Sequence, residues 1–109
     1  MKSLFDFAET KQFTKKVVKL LLDEDYAELQ MDLCKDPELG EIVRGSGGIR
    51  KVRWAIEGKG KSGGARVIYY WAVSRGKILM LDIYKKNEKG DLSRNELFQL
   101  RKTVEEFLK

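Results

Sequence analysis

The sequence predicts an α+β fold, a single antiparallel sheet with its helices packed on one face, and three observations carry that prediction. Apolar residues recur at helical spacing before Pro37 and at a period of two between residues 49 and 85. The joints between the period-two stretches are short, which makes those strands antiparallel neighbours. A capping-box pattern at Ser93 then opens a last amphipathic stretch.

Taken in order, the elements read β-α-α-β-β-β-α. "SLFDF" (3–7) alternates like a short strand, with Leu4 separated from Phe5 and Phe7. Thr10 suits an N-cap, and Phe13, Val17, Leu20 and Leu21 follow on one helical stripe. Asp23, Glu24 and Asp25 suit the first turn of a second helix, where the helix dipole favours acids. Its stripe is Tyr26, Leu29 and Leu33, and Pro37 with Gly40 ends it. In "IRKVRWAIE", Val52, Trp54 and Ile56 share one face, while Lys51, Arg53 and Ala55 share the other. "ARVIYYWAV" is apolar on both faces, as a central strand would be, and "KILMLDIYK" follows a Ser74-Arg75-Gly76 turn. The last helix carries Leu97, Leu100, Val104 and Phe107 or Leu108 on one stripe.

The chain has 109 residues, 42% of them hydrophobic, which predicts one folded domain over residues 1–109. Its longest apolar run, "VVKLLL", is too short to span a membrane and is interrupted by Lys19, so no membrane partner is expected. The N-terminal residues carry acids and lack the apolar core of a signal peptide, and the single cysteine, Cys34, has no partner for an internal disulfide. Both fit a cytoplasmic protein. With no histidine, the chain lacks a His-based triad, an ordinary zinc site and imidazole acid–base catalysis. Cys34, in a helix with no histidine to activate it, reads as a small buried hydrophobe.

Charge distribution says more than the net value of +5. Residues 1–43 hold six basic and ten acidic side chains, residues 44–86 hold eleven and two, and residues 87–109 hold five of each. A block with such an excess of cations repels itself unless a polyanion relieves it. Lys51 and Arg53 share a strand face, Arg66 opens the next strand, and Tyr84, Lys85 and Lys86 end the third. Consecutive hairpins bring these groups together on the sheet face that the helices leave free. A charged, solvated face is the plain alternative for any single lysine, though not for the set. Of the aromatics in the block, Trp54 has core parity and Tyr84 is the candidate for the wet face, where a ring can stack on a base. Asp82, one of the block's two acids, reads as an electrostatic partner for a nearby cation.

"GKGKSGGARVIYY" (58–70) matches two nucleotide motifs, the dinucleotide fingerprint and the tail of a phosphate-binding loop. Both need the loop to run into a helix whose N-terminal N–H groups hold the phosphates. Here it runs into the most strand-like segment of the chain, so the expectation is a hairpin loop and no nucleotide cofactor.

The run from Asp23 to Leu97 resembles the HigB branch of the RelE-like toxins of bacterial toxin–antitoxin systems. The resemblance rests on "PELG", "GSGGIRKVRW", "GKGKSGGARVIYY" and "LDIYKKNEKGDLS", in this order and spacing. It implies a ribosome-dependent mRNA endoribonuclease that enters the ribosomal A site and cuts by attack of the RNA's own 2′-hydroxyl, with no metal and no cofactor. It also implies a cognate antitoxin, often with a helix-turn-helix. Carried over by residue, Arg66 matches the phosphate clamp, and Lys51 and Arg53 match paired basic positions with electrostatic and acid–base roles. Lys86 matches a basic residue that assists the leaving group. Lys59 and Lys61 fall where the RNA backbone is touched, and Arg50 and Lys85 join them as RNA-binding candidates. The last helix, "SRNELFQLRKTVEEFLK", lacks the tyrosine some relatives place near the C-terminus, and Tyr84 is the nearest substitute. The alternative from another class is a non-catalytic RNA- or ribosome-binding module on the same basic sheet. A DNA-binding regulator fits less well, because the cations sit on strands and loops rather than on a recognition helix.

Overall fold

The computed structural model describes residues 6–56 and 64–109. A short strand β1 (Asp6–Glu9) leads to Thr10, whose Oγ1 accepts the Phe13 N–H and so starts α1 (Lys11–Leu20), as its sequence predicts. After Leu21 and Leu22 comes α2 (Asp23–Lys35), with its three acids in the first turn. A two-residue strand, β2 (Glu41–Ile42), precedes β3 (Arg50–Trp54), β4 (Ala65–Ala72) and β5 (Lys77–Lys85). The last helix, α3 (Arg94–Leu108), begins at Ser93 with both halves of the capping box formed.

These strands make one five-stranded sheet in the order β1-β5-β4-β3-β2. β4 is its centre, in keeping with its two apolar faces, and the neighbours from β2 to β5 run antiparallel. The expectation of an all-antiparallel sheet is corrected at one edge, where β1 pairs with β5 in parallel. Hairpin geometry fixes direction only across short joints, and β1 reaches the sheet edge through a long connection that imposes no such rule.

The helices do not share one face, contrary to the sequence expectation. α1 and α2 cover one side, where Phe13, Val17, Leu29 and Leu33 pack on Val52, Val67, Tyr69, Ile78, Met80 and Ile83. On the other side Leu100 and Val104 of α3 pack on Ile49, Ile68, Leu79, Leu81 and Tyr84. The reason lies in β4 and β5 themselves. Both are apolar on each face, and burying both faces takes a layer on each side.

Two local features position the site. A bulge at Ile68/Tyr69 pairs Ile68 with Asp82 and Tyr69 with Met80, leaving Leu81 as the extra residue. The alternation of β5 changes phase there, so Tyr84 faces α3 together with Leu79 and Leu81. Gly64, immediately before β4, lies so close to the end of β3 that a Cβ would stand 2.2 Å from the Trp54 carbonyl oxygen. Gly40 has a similar role beside β3, where a Cβ would lie 2.8 Å from the Lys51 carbonyl oxygen. The glycine of "PELG" thus admits β2 to the sheet as well as ending the helical region.

Among the described residues no helix is long and apolar enough to cross a membrane, and no His, Cys, Asp and Glu side chains gather into a metal-binding group.

Candidate nucleic-acid interface

Strand pairing brings the expected cations into register. Arg53 pairs with Arg66, and Arg66 pairs with Tyr84, so three adjacent strands each contribute one side chain to a single row across the sheet. Lys51 lies two residues from Arg53 on the same face, opposite Ile68. This is the face of α3 and not an uncovered one, as expected from the sequence. The helix covers Ile68, Leu79 and Leu81 and leaves the cationic row at the end of the sheet. A groove of about 360 Å³ opens there, lined by Lys51, Arg53, Arg66, Leu39, Glu41 and Gly90 together with Val52 and Trp54.

Each side chain is held differently. Arg53 is exposed, whereas Arg66 retains only 6% of its accessible surface and is recessed in the groove. The Lys51 Nζ donates to Asp91 Oδ1 at 3.1 Å. Tyr84 corrects its expectation, being buried at 2% exposure and not on the wet face, because the bulge turns it under the start of α3. Among the described residues its hydroxyl has no hydrogen-bond partner. Burial, with Asp91, Asp82 and Glu96 nearby, pushes its pKa up to about 12, against a smaller lowering by Arg66.

The Nζ of Lys89 stands 4.7 Å from the centre of the Tyr84 ring, a cation–π geometry, and pairs with Glu96 in the first turn of α3. That pairing, with the Ser93 N–H, holds the Glu96 carboxyl below its usual range.

Other expected residues lie elsewhere. Arg50 pairs with Tyr69 in register and so faces α1 and α2. There its guanidinium donates to the Gly40 carbonyl at 2.8 Å and to Glu38 Oε2 at 3.1 Å, a structural use on the face opposite Lys51 and Arg66. Lys85 is exposed, but it pairs with Ala65 and has the parity opposite to Arg66. Lys86 is exposed in the turn after β5, where its N–H donates to the Gly64 carbonyl at 3.1 Å and ties the turn to the start of β4. Lys59 and Lys61 lie outside the described residues. Asp82 does pair with a cation, as expected: Lys16 Nζ of α1 donates to its Oδ1 at 2.8 Å. Lys89, Asp91 and Glu41 at the site were not anticipated. The charged loop "KNEKGDLS" was the signal for Lys89 and Asp91, but residue parity gives no direction once a strand has ended, and Glu41 lies in a strand too short to leave a period.

The class is a small α+β domain that gathers Lys51, Arg53 and recessed Arg66 over the end of one sheet face. The family is more particular. Residues 9–109 match the model of the RelE toxin of the RelE/RelB toxin–antitoxin system, and the chain belongs to that family. The fold agrees. A double arginine-to-alanine mutant of the E. coli toxin RelE in the free state superposes with a TM-score of 0.61 at 14% identity, over 93% of this chain and 97% of that one. A chain of the intact E. coli RelBE toxin–antitoxin complex gives 0.60 at 15% identity, over 74% of this chain and 95% of that one. The isolated E. coli RelE toxin gives 0.59 at 14% identity, over 91% and 98%.

Proposed function

We propose that the chain is a HigB-type toxin that cuts translated mRNA in the ribosomal A site. The observation that carries this reading is the row Arg53–Arg66–Tyr84 with Lys51 beside it, lining one groove at the end of the sheet. In the reaction the 2′-oxygen forms a bond to phosphorus, the bond to the 5′-oxygen breaks, and the products are a cyclic phosphate and a 5′-hydroxyl. Negative charge grows on the phosphate oxygens, and cations fixed around them stabilise it without a metal ion. Arg66 serves as the phosphate clamp. Its recessed guanidinium works in a lower dielectric than an exposed one and needs little reorganisation. Lys51 and Arg53 add electrostatic stabilisation and acid–base assistance, and Lys86 protonates the leaving oxygen. Tyr84, whose hydroxyl has no hydrogen-bond partner among the described residues, donates it to a phosphate oxygen. Lys59, Lys61 and Lys85 follow the RNA backbone in this reading. A cognate antitoxin with a helix-turn-helix neutralises the toxin in the cytoplasm, and the partnership named for the E. coli RelBE complex supports that part.

Mapping 5′ ends of translated transcripts after induction tests the reading. New ends inside codons, suppressed by co-expressing a cognate antitoxin, are expected. Blocked translation with intact transcripts would favour a non-catalytic ribosome binder instead.

A further inference from the structure

The proposed site is partly closed in the free protein, and its own loop closes it. Two side chains of the segment between β5 and α3 reach back to the row. Asp91 places a carboxylate oxygen 3.1 Å from the Lys51 Nζ, and Lys89 places an ammonium 4.7 Å from the centre of the Tyr84 ring. Beneath them Arg66 is at 6% exposure, and the Tyr84 hydroxyl, at 2%, has no hydrogen-bond partner among the described residues. A buried hydroxyl without a partner is unfavourable, so its presence calls for an explanation beyond stability. A carboxylate on a cation of an anion site is a second anomaly, because it repels the ligand. Both are accounted for if the free state is a resting state. The Asp91 carboxylate then occupies the position of a phosphate.

We propose that Lys89 and Asp91 form a clasp that exchanges its internal ion pairs for RNA phosphates. Asp91 is the occupant that substrate displaces from Lys51, and Lys89 is a further RNA-binding residue. This rests on the RNA-cleaving reading above and adds to it. The pairs suit such exchange. Asp91 is 78% exposed, and Lys89 and Glu96 are 29% and 39% exposed, so each is a surface pair that holds weakly and is readily replaced. The segment offers one further acid, Glu88, which is exposed and follows Lys85 in a turn. It provides an internal control for charge alone.

The test uses ribosomes programmed with mRNA whose A-site codon carries 2′-O-methyl groups, so that binding is measured without cleavage. Asp91→Asn is expected to tighten binding at low salt by about threefold or more, the order set by a competing surface ion pair. Glu88→Gln is expected to leave it unchanged. Lys89→Gln is expected to weaken binding and flatten the dependence of log Kd on log salt by about 0.7, one phosphate contact to a single strand. Unchanged or weaker binding by Asp91→Asn overturns the clasp, as does equal tightening by Glu88→Gln. An unaltered salt slope for Lys89→Gln overturns the role of that lysine. Cleavage of an unmodified codon by the wild-type protein separates the two levels. If it cuts and Asp91→Asn binds no tighter, the clasp alone fails; if it does not cut, the functional reading fails with it.

Discussion

The two faces of the sheet treat their buried tyrosines in opposite ways. On the α1–α2 face the Tyr69 hydroxyl donates to the Pro37 carbonyl at 2.8 Å and accepts the Gly40 N–H at 2.9 Å, while neighbouring Arg50 is spent on Glu38 and the Gly40 carbonyl. On the α3 face Tyr84 keeps a buried hydroxyl with no hydrogen-bond partner among the described residues, in register with recessed Arg66. The first pair closes the 37–40 segment onto the sheet and serves stability. The second leaves a tyrosine hydroxyl without a described partner beside a recessed arginine at the rim of a groove. Position in the strand does not separate the two faces, since Arg50 and Lys51 are adjacent; the pleat does.

Swapping each tyrosine for phenylalanine is the sharpest way to break that comparison. Tyr69→Phe should cost about 1–3 kcal/mol, because it orphans the Gly40 N–H and the Pro37 carbonyl, and should leave cleavage intact. Tyr84→Phe should cost no stability, since among the described residues it breaks no hydrogen bond and relieves a buried hydroxyl, yet lower cleavage about tenfold, the worth of one hydrogen bond. Urea melts and single-turnover cleavage of the two variants read both effects. A large stability loss in Tyr84→Phe would dissolve the contrast.

The same contrast has a signature in alkali. Tyr84 has its pKa raised from 10.0 to about 12, so above pH 10 the unfolded chain loses this proton while the folded chain retains it. Its contribution to stability is therefore full below about pH 10 and falls away as the pH climbs towards 12. Denaturant melts across this window should show wild type losing stability with pH more steeply than Tyr84→Phe. The smallest effect belongs to the cap. Ser93→Ala removes the acceptor for the Glu96 N–H and should cost about 1 kcal/mol, seen as a lower Tm.

Much of this molecule was legible in its sequence because the signals were local. Thr10 and Ser93 start their helices, the period-two stretches became β3, β4 and β5, and parity put Lys51, Arg53 and Arg66 on one face. What parity cannot foresee is a bulge. One extra residue at Leu81 reversed the phase of β5 and buried Tyr84 under α3. The second helical layer was implied by the two apolar faces of β4, but the apolar pattern of α3 does not say which side it covers. Arg50 was misplaced for a different reason: its partners, Glu38 and the Gly40 carbonyl, come from a segment whose two-residue strand is too short to leave a period.

Arg66 is the centre of the account, and single-turnover cleavage on programmed ribosomes tests it most directly. A folded Arg66→Ala protein, matched to wild type by circular dichroism, should lose cleavage of the A-site codon by about 10²–10³-fold, the usual cost of removing a preorganised transition-state donor. Wild-type cleavage by that folded variant would contradict the phosphate-clamp assignment and with it the proposed site.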